Sequence, residues 1–246
     1  MTKAGLITLL IILAGPLQAS DLAKEKRWAE QIEQGLMDGE MLYLKAGDHE
    51  FLALETVAAD AGDIAAIVLH GIGAHPDWPD VIYPLRTILP ESGLTTLSLQ
   101  LPILANDAEA KDYQPLMKDV PARINAGINH LTKAGYRKIY IVAHSMGAEM
   151  ASYYLAQGDL ADTIKGYVGI GMNVNNPDYL AKLSLPVLDL YGSEDLEGVL
   201  KSAKARADAS ASNKQFSQVK VDGTNHFFNG KDEDLLQNVT QWIKEH

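Results

Sequence analysis

The sequence predicts an α/β domain with a mostly parallel central sheet and helices on both faces of that sheet. Three observations lead to this prediction. Strand-like and helix-like segments alternate along the chain, the strand-like run Ile64–Leu69 is apolar throughout, and Ser145 stands between a strand-like and a helix-like run. Alternation implies right-handed crossovers between parallel strands. An uninterrupted apolar strand is typical of a sheet that is covered on both faces.

The first elements in chain order are a helix and an antiparallel hairpin. Apolar residues recur at helical spacing over 21–37, with charged residues between them. The segments 41–44 and 51–54 flank a turn at Gly47 and predict two paired strands. The alternating elements that follow, up to Ser145, are a strand over 64–69, a helix over 81–88, a strand over 94–99, a helix over 118–133 and a strand over 139–142.

The same alternation continues after Ser145. The expected elements are a helix over 146–155, strands over 167–171 and 187–191, a helix over 197–207, a strand over 216–221 and a helix over 234–244. The connection between the strands 167–171 and 187–191 has only about 15 residues, which is close to the ordinary length of a loop. We therefore expect no large cap domain over the carboxyl edge of the sheet.

The segment 1–19 is predicted to be a secretory signal peptide. Lys3 supplies a positive charge, and the apolar run 6–14 is shorter than the about 20 residues that a membrane span needs. Cleavage after the small residue Ala19 leaves residues 20–246 as a single domain, located in the periplasm or secreted, without a stable membrane span. An uncleaved anchor is the alternative.

Composition narrows the possible partners. The chain has 246 residues, 47% of them hydrophobic, which suits one folded domain with a real core. Its formal net charge of −11 and its lack of a basic stretch argue against nucleic acid or an anionic membrane as the main partner. There is no cysteine, so neither disulfides nor lipid attachment through a cysteine is expected.

Ser145 lies in the pentapeptide Ala143-His144-Ser145-Met146-Gly147. A serine with small residues two positions before and two positions after it, at a strand-to-helix turn, is the pattern of a nucleophile elbow. The turn is sharp, so larger side chains at the two flanking positions would collide, whereas small ones leave the serine hydroxyl exposed. A serine that only caps the following helix is the alternative.

Candidate partners for this serine follow later strands. A serine nucleophile needs a base, and the base needs a group that orients it. In this arrangement the chain order is serine, acid, histidine. Asp195 and His226 each follow a predicted strand, so we expect both beside Ser145 at the carboxyl edge of the sheet. Glu194 and Asp189 are rival candidates for the acid.

The loop after the first buried strand supplies the fourth part of the predicted site. Acyl transfer needs backbone N–H donors directed at the developing oxyanion. We predict that these donors are the N–H groups of Ile72 and Met146, with Gly71 and Gly73 allowing a close approach of the backbone. A plain turn is the alternative for the glycines, and we expect a structural role for His70.

Pocket walls are predicted from the loop 102–114 and from the loop after the first buried strand. Trp78, Ile103, Leu104 and Tyr113 are candidate substrate-binding residues, and ordinary packing under loops is the alternative for each. No group of histidine and carboxylate residues has zinc-like spacing, so we predict no metal site and no cofactor.

With these parts placed, the sequence resembles the α/β-hydrolase superfamily over nearly all of residues 20–246. Residues 70–73 and 143–147 are similar to the oxyanion and elbow motifs of small, lidless, secreted bacterial lipases. The segments 75–79 and 95–102 resemble a Gram-negative family of secreted α/β-hydrolase-like proteins whose function is uncharacterised. The resemblance implies an α/β-hydrolase fold without a large cap, and serine-hydrolase chemistry.

The predicted function is a serine hydrolase that cleaves short or medium acyl carboxylesters, with a small-molecule ester as its partner. One alternative is a catalytically silent binding protein of the cell envelope with the same fold. Acyl transfer or amide cleavage by the same residues also remains open, because only the acyl acceptor or the leaving group differs. The sequence does not determine the oligomeric state.

Overall fold

The structure is a computed structural model that describes residues 20–60 and 62–246. The predicted signal segment 1–19 lies outside these residues, so its assignment and the domain boundary remain predictions. The strands of the described region form one sheet. They are β1 (Glu40–Ala46), β2 (His49–Thr56), β3 (Ile64–Leu69), β4 (Thr95–Leu99), β5 (Lys138–His144), β6 (Ile164–Ile170), β7 (Val187–Glu194) and β8 (Phe216–Asn225).

Helices connect most of these strands. They are α1 (Leu22–Gly35), α2 (Ile82–Ile88), α3 (Val120–Ala134), α4 (Met146–Leu155), α5 (Asn176–Leu180), α6 (Glu197–Ala209) and α7 (Asp232–Glu245). Two 3-10 helices, Leu89–Ser92 and Ala110–Asp119, precede β4 and α3. The predicted alternation of strands and helices is confirmed, whereas α5 and the two 3-10 helices were not predicted. Within the described residues, no helix combines the length and the apolar character needed to cross a bilayer.

The strands lie in the order β1-β2-β4-β3-β5-β6-β7-β8. The pairs β1–β2 and β2–β4 are antiparallel, and every other pair is parallel. Leu69 is level with Ala143 on the neighbouring strand, and Ala143 is level with Gly169 on the next. The loops that follow β3, β5 and β6 therefore leave the same edge of the sheet side by side.

Alternate residues of the central strands feed two separate cores. On β3, Ala65 and Ile67 face the core that contains α3 and α4, whereas Ala66 and Val68 face the core that contains α2 and α7. This period of two is the geometry of an extended strand. All four residues are fully buried, so the uninterrupted apolar run reflects helices on both faces.

Helix α1 packs on the antiparallel end of the sheet. Ala29 and Ile32 contact Leu52 of β2 in a small apolar cluster. Near the start of α1, the buried carboxylate of Glu25 accepts two hydrogen bonds of 2.9 Å from the guanidinium of Arg123. Removing one partner of such a buried pair typically costs about 3–5 kcal/mol, so this pair anchors α1 firmly beside the carboxyl edge.

The connection between β6 and β7 holds only the short helix α5. No insertion large enough to form a cap domain occurs there, as the sequence predicted. On this side, the carboxyl edge of the sheet is therefore bordered only by loops and by the short helix α5.

Candidate active site

Ser145 occupies a strained turn between β5 and α4. Its φ of 55° lies in the left-handed region, which costs a residue other than glycine about 1–2 kcal/mol. The turn is held by a 2.8 Å hydrogen bond from the Ser145 N–H to the Ile170 carbonyl oxygen. A Cβ at Gly147 would lie 2.3 Å from the His70 carbonyl oxygen, so glycine is needed for α4 to begin this close to β3.

The structure brings Ser145, His226 and Asp195 into one hydrogen-bonded line. The Ser145 Oγ lies 2.9 Å from Nε2 of His226, and Nδ1 of His226 lies 2.6 Å from Oδ1 of Asp195. The histidine and the aspartate are 5% and 6% exposed, whereas Ser145 is half-buried. Asp195 directly follows β7 and His226 directly follows β8, at the ends where the sequence placed them.

The tautomer of His226 follows from its partners. An ionised carboxylate only accepts hydrogen bonds, so Nδ1 of His226 carries the proton and Nε2 presents its lone pair to the Ser145 hydroxyl. Asp195 is itself oriented by the Leu196 N–H, which donates to Oδ1 at 2.7 Å. The arrangement can move a proton from the serine to the imidazole, which is what general-base activation of a serine requires.

The rival acids are placed elsewhere. Glu194 is exposed and forms no hydrogen bond to His226. Asp189 is fully buried inside β7, and its Oδ2 accepts a 2.7 Å hydrogen bond from Nε of Arg206. The Arg206 guanidinium also donates to the Met172 carbonyl, so Asp189 and Arg206 form a structural pair beneath the edge.

Two residues that the sequence analysis did not assign support His226. Gly171 has a φ of 60°, and a Cβ there would lie 2.8 Å from Cε1 of His226. Nε2–H of His144 donates to the His226 carbonyl oxygen at 2.9 Å. Burial lowers the pKa of His144 to about 3, so this imidazole is neutral and acts as a fixed donor. The position of His144 next to the serine was the available signal, but its contact spans 82 residues.

The loop after β3 passes directly beside the serine. A Cβ at Gly71 would lie 3.2 Å from the Ser145 Cβ, which is tighter than most real contacts. The Ala74 N–H donates to the Gly71 carbonyl, and Gly73 has a φ of 64°. Within residues 20–60 and 62–246, the N–H of Ile72 donates no hydrogen bond, and neither does that of Met146. Neither of the two predicted oxyanion donors therefore has a hydrogen-bond acceptor in this part of the chain.

His70 fixes this loop to the end of β4. Its imidazole is 1% exposed, and burial lowers its pKa to about 3. Nδ1–H donates to the Gly71 carbonyl oxygen at 2.9 Å, and Nε2 accepts the Leu101 N–H at 2.9 Å. This is the structural position expected from the sequence.

The four predicted pocket residues divide into two pairs. Trp78 and Tyr113 line a cavity of about 350 Å³ that also includes Ile72. Ile103 and Leu104 do not line it, because their side chains are buried at 0% and 5% exposure. The Asp21 N–H donates to the Ile103 carbonyl at 2.7 Å and pins this stretch of backbone under α1. The structure thus replaces the pocket role expected for Ile103 and Leu104 with a packing role.

Three exposed apolar side chains lie at the carboxyl edge of the sheet, on which Ser145 also lies. Val174 follows β6, Leu196 follows β7 and Phe227 follows β8, and they are 61%, 56% and 41% exposed. The Phe227 ring lies 5.2 Å from the His226 ring, edge to face. Exposed apolar residues at the edge where the strands of such a sheet end can contribute to a binding surface.

A buried carboxylate on α4 holds two neighbouring loops. Glu149 is fully buried and accepts hydrogen bonds from the side-chain amides of Gln114 at 2.8 Å, Asn173 at 2.5 Å and Asn175 at 3.0 Å. Gln114 belongs to the 3-10 helix before α3, and the two asparagines follow β6. Glu149 therefore ties both loops to the helix that begins at Ser145.

Solved structures share this architecture. The chain is similar to Est1E from Butyrivibrio proteoclasticus, with 16% identity, coverage of 85% of this chain and 98% of that chain, and a TM-score of 0.68. It is also similar to an alpha-beta serine hydrolase homologue from Coxiella burnetii, with 17% identity, 84% and 98% coverage, and a TM-score of 0.67. A third similar structure is XC6422 from Xanthomonas campestris, described as a serine hydrolase without lid, with 18% identity, 85% and 95% coverage, and a TM-score of 0.66.

These likenesses show that the chain has the α/β-hydrolase fold, as predicted. Comparison with curated proteins finds no match to the sequence. The chain belongs to the family described as "Protein of unknown function (DUF3530)", whose sequence pattern matches residues 15–115 and 104–245.

Proposed function

We propose that this protein is a serine hydrolase that cleaves carboxylesters with short or medium acyl groups. Ser145 is the nucleophile, His226 the base and Asp195 the group that orients the base. The N–H groups of Ile72 and Met146 are the oxyanion donors. The single observation that carries the proposal is the hydrogen-bonded line from the Ser145 Oγ through His226 to Asp195.

The geometry supports a two-step acyl transfer. The Ser145 hydroxyl proton passes to Nε2 of His226 while Oγ bonds to the ester carbonyl carbon. The resulting oxyanion accepts hydrogen bonds from the two free N–H groups, an interaction worth about 3–4 kcal/mol per donor in other serine enzymes. The C–O bond then breaks, and the leaving alcohol takes the proton from Nε2. Water repeats the sequence on the acyl-enzyme and releases the carboxylic acid.

Strain at Ser145 favours catalysis over a purely binding role. A backbone conformation that costs about 1–2 kcal/mol persists where the surrounding structure enforces it, and such conformations cluster at active sites. A silent binding protein has no physical need for this turn to present a hydroxyl to a buried, oriented imidazole. The full set of strained serine, oriented base and free donors is therefore best explained by acyl chemistry.

The surroundings of Ser145 suit small esters. The apolar side chains of Val174, Leu196 and Phe227 offer contacts for a short or medium acyl chain. The short connection between β6 and β7 leaves this side open, so we propose a small-molecule ester rather than a substrate enclosed by a cap. The location in the periplasm or outside the cell rests on residues 1–19, and amino-terminal sequencing of the exported protein tests it.

A fluorophosphonate probe tests the proposal directly, because it labels a serine only when a base activates it. The wild-type protein is expected to be labelled at Ser145 and to hydrolyse p-nitrophenyl butyrate. Ser145→Ala is expected to lose both properties with a nearly unchanged melting temperature. Ser212→Ala, which removes an exposed serine hydroxyl, serves as the matched control.

Two results would count against the proposal. Absence of labelling in the folded wild-type protein at pH 8 would favour the silent binding protein. Turnover retained by Ser145→Ala would move the chemistry to another group. A panel of esters, thioesters and amides then distinguishes ester hydrolysis from amide cleavage, and added alcohols as acceptors reveal acyl transfer.

A further inference from the structure

The cavity beside the oxyanion loop has an unusual charge for this protein. It has a volume of about 350 Å³ and lies between the start of α1, the turn after β3 and the loop before the second 3-10 helix. Lys24 is the one charged side chain among its described lining residues, and none of those residues is acidic. The whole chain carries a formal charge of −11, so a cavity with only a cation in its wall departs from the general character of the molecule.

The ammonium of Lys24 is buried without a carboxylate partner. The side chain is 5% exposed, and Nζ donates one hydrogen bond, of 2.9 Å, to the Leu104 carbonyl. It forms no ion pair within residues 20–60 and 62–246, and the segment outside them contains no acidic residue. Burial lowers the pKa of Lys24; Asp21 opposes this shift and Arg27 adds to it. Buried ammonium groups normally have an acidic partner, and the described part of the chain supplies none to Lys24.

Further donors in the same wall lack acceptors. The indole Nε1–H of Trp28 is buried with no hydrogen-bond partner in the described part of the chain. The Tyr113 oxygen accepts the Leu104 N–H at 3.0 Å, and its own proton is available to donate. A buried donor without a partner costs about 1–3 kcal/mol, so Lys24, Trp28 and Tyr113 together favour a ligand that only accepts hydrogen bonds.

The cavity also adjoins the proposed oxyanion site. Ile72 and Gly73 line it, and a Cβ at Gly73 would lie 3.5 Å from Nζ of Lys24. The Lys24 ammonium therefore lies beside Gly73, the residue that directly follows Ile72 in this loop. A second depression, of about 210 Å³, shares Lys24 and Trp28 with this cavity, and its wall also contains the oppositely charged Arg27 and Asp21.

We infer that this cavity binds a carboxylate carried by the ester substrate, with Lys24 as the residue that selects for it. The inference rests on the proposed function and deepens it. The preferred substrate is an ester with a negatively charged group a few bonds from the scissile carbonyl. That group displaces water from the cavity, pairs with the Lys24 ammonium and accepts from Trp28 or Tyr113, while the carbonyl lies between Ile72 and Met146.

Lys24 also holds the Leu104 carbonyl, so a merely structural role is the competing explanation. The two roles predict different kinetics. If Lys24 only holds the loop in place, its substitution changes kcat/KM for all esters by the same factor. If Lys24 binds the substrate carboxylate, its substitution changes the ratio of kcat/KM between charged and neutral esters. This ratio is therefore the quantity to measure.

The experiment compares kcat/KM for two matched pairs of esters, each rate divided by the ester's own alkaline hydrolysis rate. p-Nitrophenyl hemisuccinate against p-nitrophenyl butyrate tests a carboxylate on the acyl side. 4-Acetoxybenzoate against 4-acetoxybenzamide tests one on the alcohol side. Wild type is expected to prefer the anion of one pair by about tenfold, the value of one charge-assisted hydrogen bond. Lys24→Gln and Lys24→Met are expected to reduce that preference to about twofold or less.

Two control variants separate local binding from net charge. Lys26→Met removes the same charge from an exposed side chain of α1 that pairs only with Glu30 in the described chain, and it is expected to keep the preference. Lys24→Arg retains the positive charge and is expected to retain most of the preference for the anionic ester. Lys24→Gln retains a hydrogen-bond donor for the Leu104 carbonyl, so this variant is expected to fold. The melting temperature of every variant is measured to check folding.

If the wild-type protein hydrolyses the neutral esters but prefers neither anionic ester, the carboxylate site is refuted while the proposed hydrolase function stands. A preference that survives Lys24→Gln also overturns it, because the anion then binds elsewhere. Failure of the proposed function is recognised separately, by the absence of all turnover and of fluorophosphonate labelling. In that case the melting temperature in the presence of small dicarboxylates tests the carboxylate site. Glutarate is expected to raise the melting temperature of the wild-type protein, and its uncharged analogue glutaramide is not. The carboxylate site is refuted if glutarate has no effect, or if its effect is the same in Lys24→Gln.

Discussion

Gly171 is the position where a single methyl group tests the geometry of the proposed site. It directly follows β6, has a φ of 60°, and faces the imidazole of His226. In Gly171→Ala the new Cβ would lie 2.8 Å from Cε1 and 2.9 Å from Nδ1 of that ring. Ser145 and Asp195 keep their own side chains, so any kinetic effect arises from the position of the base.

The expected magnitude follows from these distances. Ordinary contact begins at 3.4 Å, so the ring must withdraw by about 0.6 Å. It is held by hydrogen bonds of 2.6 Å to Asp195 and 2.9 Å to Ser145, and a shift of this size breaks the alignment of at least one of them. Since a misplacement of about 1 Å can cost about 100-fold, we expect kcat/KM to fall by about 10–100-fold. The positive φ adds a loss of about 1–2 kcal/mol in stability.

Ester kinetics and thermal unfolding together measure these effects. Turnover of p-nitrophenyl butyrate and the rate of fluorophosphonate labelling are expected to fall together, with a melting temperature lower by about 2–8 °C. Gly198→Ala is the matched control, because a Cβ there meets only Val174, at 3.9 Å. Wild-type kinetics in a folded Gly171→Ala protein would refute the reasoning, since His226 could not then occupy this position during catalysis.

Three further predictions concern the buried polar groups. Burial lowers the pKa of His70 and His144 to about 3 from 6.5, so the unfolded chain binds more protons than the native one between these values. The stability that the two neutral histidines contribute to the folded protein is fully present above pH 6.5. As the pH falls from 6.5 toward 3, each histidine is expected to reduce the unfolding free energy by about 1.4 kcal/mol per pH unit. Urea titrations at pH 7 and pH 5 measure this; equal midpoints would contradict it. Glu149→Gln directs an amide group at three amide donors and is expected to cost about 1–3 kcal/mol in unfolding free energy; an unchanged urea midpoint would show that the two loops are held by other contacts. Asp195→Asn removes the acceptor that sets the tautomer of His226 and is expected to lower kcat by about 10³–10⁴-fold, whereas a kcat within a few fold of wild type would argue against the orienting role.

Local sequence patterns were sufficient to predict the central sheet and the edge of that sheet at which the candidate site lies. Strand β3 was predicted from its apolar run because residues of a strand that is buried on both faces must all be apolar. Ser145, Asp195 and His226 were placed correctly at strand ends, because a parallel sheet directs all those ends to one edge. The short helix α5 was missed, since five residues are too few to establish a helical period.

The tertiary structure decided which side chains meet at that edge. Ile103 and Leu104 were expected in a pocket wall, but the start of α1 covers them, and Lys24 and Trp28 line the cavity instead. The Lys24–Leu104 hydrogen bond joins residues 80 positions apart, and no local pattern reports such a contact. The support that Gly171 gives to His226 is of the same kind.

The amino-acid sequence by itself determined the order of strands and helices, the strained turn at Ser145 and the edge shared by the proposed catalytic residues. Each of these depends on interactions between near neighbours along the chain, through backbone sterics and the alternation of buried faces. The charge and shape of the cavity depend on how distant loops and α1 pack against one another. Only the folded chain decides that packing, because it depends on contacts between segments that are not neighbours in sequence.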